Sequence, residues 1–129
     1  MSTELMALLA MTLFYLFAWL PSSIGKARQY GGKWLASNRE TQETSLEGAY
    51  GRAQRAYDNL KDYFPAFIVA ILAIEITNSH SSVTLYGAWF YVTFRLAHFL
   101  SYTLGYVKAR ALFWVGSLFC NVVLIFSCF

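Results

Sequence analysis

Two stretches of this chain carry no charged residue and are long enough to cross a lipid bilayer: Leu5 to Leu20, and Ala111 to Phe129. A crossing takes about 20 apolar residues wound as a helix, because the hydrocarbon offers no water to an open backbone. Two further apolar runs lie between them. Tyr63 to Ile76 is broken only by Glu75 and stops at a polar turn, Thr77 to Ser82, while Val83 to Val107 holds Arg95 and His98 in its middle. The pattern predicts an all-α membrane protein, a bundle of four transmembrane helices in a single domain over residues 1–129. The expected spans are about 4–21, 55–78, 83–107 and 111–129, with a cytoplasmic loop at about 22–50. The start at Met1 to Glu4 has an acid where a signal peptide has a base, so the first run reads as a mature helix ending at Pro21.

Composition agrees. With 129 residues, 57% hydrophobic and only 13% charged, the chain has too little interior to hide its apolar surface from water as a soluble domain. Collagen-like, disordered and disulfide-stapled classes are excluded by 8 Gly, 2 Pro and 2 Cys. Cys120 and Cys128 sit about 12 Å apart along one helix, which reads them as buried apolar residues rather than a bond.

Charge sets the orientation. Lys26, Arg28, Lys33, Arg39, Arg52, Arg55 and Lys61 lie between the first two apolar runs, and Lys108 and Arg110 between the last two. The N-terminus, the Thr77 to Ser82 turn and the C-terminus hold no Lys or Arg, so the basic segments are expected in the cytoplasm and both termini on the far side. The net charge of +3 does not point to nucleic acid, since the cations are dispersed among Glu40, Glu43, Glu47, Asp58 and Asp62.

The apolar part of the second run is too short to cross, so its helix must begin earlier and carry polar residues below the surface. Arg52, Arg55, Asn59, Asp62 and Tyr63 fall within an arc of roughly 100° on that helix. Tyr91, Arg95, His98, Tyr102 and Tyr106 occupy an arc of roughly 80° on the next. An antiparallel hairpin about the turn sets Asp62 opposite Arg95, Asn59 opposite His98 and Arg55 opposite Tyr102. Asp62 is then the counter-ion that a guanidinium in mid-membrane needs. The expectation is a buried polar pocket opening to the cytoplasm. Its arginines suit carboxylates, Asp62 and Asn59 suit an ammonium or amide, and its tyrosines donate to anions. A small zwitterionic peptide such as glutathione is the complement.

These residues carry a resemblance. Arg55 to Pro65, RAYDNLKDYFP, resembles the signature R-A-x-x-N-x-x-E-x-x-P of the MAPEG family, the membrane-associated proteins in eicosanoid and glutathione metabolism. Arg95, His98, Tyr102 and Arg110 resemble the pattern R-x-x-H-x-x-x-Y followed seven to nine residues later by arginine, and Asn38, Arg39 and Arg52 resemble the bacterial branch. The resemblance implies a homotrimer with glutathione, or a similar small thiol, bound on the cytoplasmic side between protomers. It implies a glutathione transferase or peroxidase-like enzyme acting on lipophilic electrophiles from the bilayer. Arg110 would be the catalytic thiolate stabiliser. Arg52, Arg55, Asn59, Asp62 and Tyr63 would clamp the peptide, and Arg95, His98, Tyr102 and Tyr106 would form the opposite wall. Asp62 stands where the family has glutamate, and Asp58 adds a negative charge beside the anion site.

The expected location is a bacterial inner membrane, or the endoplasmic reticulum in a eukaryote. Two alternatives remain from other classes: a non-catalytic lipid- or ligand-binding protein of the same fold, and a small proton-coupled transporter using Glu75. His80 reads as a solvated loop residue, and Lys26 and Arg28 as interfacial anchors. Trp19, Trp34, Trp89 and Trp114 read as interface or packing aromatics, and Asn121 as a hydrogen bond to another helix. No metal-ligand spacing, phosphate-binding glycine loop or Ser-His-Asp arrangement occurs.

Overall fold

The computed structural model describes residues 1–41 and 44–129. Glu43, one of the loop acids named above, lies outside the described residues. The elements are all helical, as the apolar runs require: α1 (Thr3–Phe17), α2 (Leu20–Tyr30), α3 (Gly32–Leu35), α4 (Gly48–Thr77), α5 (Ser82–Leu104) and α6 (Val107–Phe126). No strand occurs among the described residues.

Local chemistry sets the helix ends. The Ser2 hydroxyl caps α1 by accepting the Leu5 N–H at 3.0 Å, and Glu4 in the first turn complements the helix dipole. Pro21 was expected to stop this helix, yet the chain kinks only briefly at Ala18 and Trp19 and stays helical to Tyr30. Proline sits in the first turn of α2, where its missing N–H would have had no intrahelical partner anyway. Helix α4 begins at Gly48, well before residue 55, and runs for 30 residues with Pro65 inside it. It stops at Asn78, whose φ of 52° is left-handed. Ser81 and Thr84 form a reciprocal capping box at the start of α5. Gly105, at φ 89°, ends α5 in the left-handed region that other residues enter at a cost. Tyr106 then leads directly into α6.

Helix α5 is the centre of the assembly and packs against α1, α4 and α6, while α2 lies along α4. The interior is closed by Ala7, Met11, Phe67, Ile71, Ile74 and Leu124. The Phe67 ring stacks on Tyr91 at 3.9 Å with 12° between planes, joining α4 to α5. Helices α5 and α6 approach closely because two glycines allow it. A Cβ on Gly87 would stand 3.1 Å from Leu124, and one on Gly116 would stand 2.9 Å from Phe94.

The outward surface is apolar where a soluble protein would be charged. Leu9, Leu13, Leu16 and Phe17 are exposed on α1, and Leu112, Val115, Phe119, Val122 and Phe126 on α6. Two helical runs are long and apolar enough to cross a membrane, Thr3–Tyr30 and Val107–Phe126.

Candidate functional site

The tight turn at Gly105 and Tyr106 builds the site. It closes with the Tyr106 N–H donating to the Ser101 carbonyl at 2.8 Å and the Gly105 N–H donating to the Ser101 and Tyr102 carbonyls. Arg52 of α4 adds a cation at this helix end, its Nε donating to the Thr103 carbonyl at 2.9 Å. The chain therefore folds straight back, and the first turn of α6 comes to rest beside the last two turns of α5.

Between them and α4 opens a cavity of about 290 Å³, lined by Asn59, His98, Tyr102, Arg110, Ala111 and Trp114. That is just below the usual range for ligand pockets, which begins at about 300 Å³. The Arg110 guanidinium lies 4.3 Å from the centre of the Tyr102 ring, a cation held over an aromatic face. His98 meets Tyr102 edge-on at 5.7 Å. The His98 Nδ1 lies 2.8 Å from the Arg110 carbonyl oxygen. The Trp114 indole stands edge-on to Tyr63 at 5.6 Å.

Of the residues singled out from sequence, Asn59, His98, Tyr102 and Arg110 meet around this cavity. Arg95 stands behind the wall. It is buried to 1% exposure, with Nη1 donating to Asn59 Oδ1 and Nη2 donating to the Asn59 carbonyl, both at 3.2 Å. Its guanidinium also lies 5.8 Å from the Tyr63 ring centre. The ion pair expected between Arg95 and Asp62 does not form. Asp62 is exposed, and Arg95 makes no ion pair among the described residues. Helix α4 sits almost a turn away from the expected register, so an amide and a carbonyl, rather than a carboxylate, solvate the cation. Arg55 and Tyr106 are exposed, and Arg52 is occupied at the end of α5.

Trp114 is the lining residue that sequence reading placed elsewhere, as an interface or packing aromatic. Its spacing of one helical turn from Arg110 on α6 puts both on one face and was the available signal. Three buried polar atoms near the cavity or along the same face of α5 have no hydrogen-bond partner: Tyr91 Oη, Arg95 Nε and His98 Nε2. Asn121 Oδ1 on α6 is unpartnered too, while its side chain adjoins Tyr91 of α5, the inter-helix neighbour expected of it.

A second polar cluster lies at the other end of α4 and α5. Ser2 donates to Glu75, the Thr84 hydroxyl donates to Glu4 Oε1 at 2.6 Å, and His80 lies 3.4 Å from Glu4 and 3.9 Å from Glu75. His80 is a solvent-exposed loop residue, as expected, and also stands beside two carboxylates. Glu75 is held within the bundle end by Ser2 and His80 instead of standing free.

No group of three or more His, Cys, Asp or Glu residues suited to a metal occurs among the described residues. Both cysteines are unbonded.

No curated protein and no solved structure matches the chain. A family model does, the MAPEG family, over residues 3–129. That match spans essentially the whole chain and takes in both apolar runs, the polar face of α4 and the α5 to α6 turn. The chain therefore belongs to the MAPEG family, a membrane-associated family that includes glutathione transferases and related enzymes.

Proposed function

We propose that this protein is a membrane-bound glutathione transferase, with peroxidase-like reduction as the related activity, acting on lipophilic electrophiles. The observation that carries this reading is the Arg110 guanidinium held at a small cavity with Asn59, Tyr102 and Trp114. Every one of these side chains offers a proton donor to a ligand, and no carboxylate lines the cavity. Such a wall favours an anion. A thiol with a pKa of about 8.5 is mostly protonated at neutral pH, and each unit of depression by a nearby guanidinium is worth about 1.36 kcal/mol. Arg110 would hold the thiolate, and the thiolate would attack an apolar electrophile arriving from the bilayer.

In this reading the chain crosses the membrane four times, with α4 and α5 as the middle spans, and assembles as a homotrimer. The basic loop and the α5 to α6 turn face the cytoplasm, both termini face the far side, and a bacterial inner membrane is the location. Arg55 and Asp62 are exposed on α4 of a single protomer. A neighbouring protomer that covered this face would let them reach the peptide's carboxylates and amino group. Arg52, Tyr63 and Tyr106 would border the same ligand. The transporter alternative finds little support, since Glu75 is tied to Ser2 and His80.

The test is thiolate absorbance on adding glutathione to the detergent-solubilised protein. A thiolate band that is lost in Arg110→Ala supports the enzyme. No band in the wild type, or one unchanged by Arg110→Ala, leaves a non-catalytic ligand-binding protein. Mass measurement of the same sample reports subunit number and bound thiol together.

A further inference from the structure

His98 is 4% exposed, and its contact with the Arg110 carbonyl fixes where its proton sits. A carbonyl oxygen can only accept, so at 2.8 Å the hydrogen must be on Nδ1. The same bond survives whether the ring is neutral or protonated, because Nδ1 keeps its hydrogen in both forms. The other nitrogen, Nε2, is buried and meets no partner, so it does not present itself to a ligand in the cavity. The Arg110 carbonyl belongs to the first turn of α6 and has a second lone pair to spare beside its helical bond. The Arg110 backbone N–H is meanwhile fixed to the Tyr106 carbonyl at 3.0 Å.

We infer that His98 is a positioning residue: its Nδ1–H pins the main chain of Arg110 to α5, so that the guanidinium is carried over Tyr102 at the cavity wall. The sequence suggested a ligand contact for His98; the geometry assigns it to the support behind Arg110. Tyr102, one turn along α5, meets the imidazole edge-on and carries the guanidinium over its ring, so the three side chains form one contact group. Without the bond, the Arg110 main chain would lose its side-chain tie to α5 and could shift locally within the first turn of α6. The guanidinium would then lose the fixed place that stabilising a charge requires. The part played in thiolate formation rests on the glutathione reading; the proton position does not.

Two measurements test this. The chain has 2 His residues, so in His80→Gln the remaining imidazole ¹⁵N signals come from His98 alone. They are expected to show a protonated Nδ1 from about pH 5.5 to about pH 8.5; a neutral ring carrying its hydrogen on Nε2 overturns the proposal. With glutathione added, His98→Leu is expected to weaken the thiolate band about tenfold while glutathione still binds. His98→Asn, whose amide N–H can reach the same carbonyl, is expected to restore most of the band. A band unchanged in the leucine variant, or an asparagine variant no better than leucine, overturns the positioning role. If the wild type gives no band at all, the glutathione reading has failed, and the ¹⁵N result still decides whether His98 holds Arg110.

Discussion

The two polar clusters of this bundle use similar side chains to opposite effect. At the end formed by the α4 to α5 turn, Glu4, Glu75, His80, Ser2 and Thr84 satisfy one another across three helices. About 21 Å away along α5, Asn59, Arg95, His98, Tyr102 and Arg110 surround a cavity, and two of them keep a buried nitrogen without a partner. Buried polar groups are normally paired, because each unpaired one costs the free energy of leaving water. A closed cluster therefore reads as structure, and one built around a cavity as a place for a ligand, met by the donors of Asn59, Tyr102, Arg110 and Trp114 that line it. Glu4 and Glu75 belong to the closed end, while the lining of the open end holds the Arg110 guanidinium and no carboxylate, which is the division an anion site requires.

The largest effect that could break this contrast is at Asn59. Asn59→Leu removes the Oδ1 acceptor of a guanidinium that is 1% exposed, leaving it only the main-chain carbonyl. The expected loss in equilibrium unfolding is about 2 to 3 kcal/mol. Adding Arg95→Met should return most of that stability, since an apolar side chain needs no acceptor, while thiol binding stays lost. If the double variant is as unstable as the single one, the open cluster is a structural device like the other. A middling effect is expected at Thr84→Val, which withdraws the hydroxyl donated to buried Glu4 and breaks the α5 capping box. A cost of about 1 to 2 kcal/mol follows, with glutathione affinity unchanged at that distance. A change in affinity would join two ends that the contrast treats as independent. The smallest effect is at His80→Gln, whose side chain is 34% exposed and faces its carboxylates at 3.4 and 3.9 Å. Partly solvated pairs contribute under about 1 kcal/mol, so unfolding should move little. A large loss there would make His80 a keystone of the closed end.

How much of the site was legible depended on whether one helix or two had to be known. The stripe Tyr91, Arg95, His98 and Tyr102 follows from helical spacing alone, and Arg110 from its place in the pattern that resembles the family's. The partner of Arg95 was misassigned because it depends on how far α4 slides along α5. That offset is set by contacts remote from the stripe, such as Phe67 stacked on Tyr91. The neighbours of His80 and Glu75 were hidden for the same reason, since Glu4 and the capping Ser2 reach them from the start of α1, more than seventy residues away in the chain.

By itself the sequence determined the helical class, the apolar outer surfaces of α1 and α6 and the family, because each is a property of composition or of spacing along one chain segment. Only the tertiary structure decided that Asn59 solvates Arg95, that His98 grips the Arg110 main chain, and that the carboxylates close on one another at the far end. Those choices turn on the axial offset and rotation of packed helices. Close contacts between residues distant in sequence, Phe67 on Tyr91 between α4 and α5 and Gly87 beneath Leu124 and Gly116 beneath Phe94 between α5 and α6, go with these, and a one-dimensional pattern does not record them.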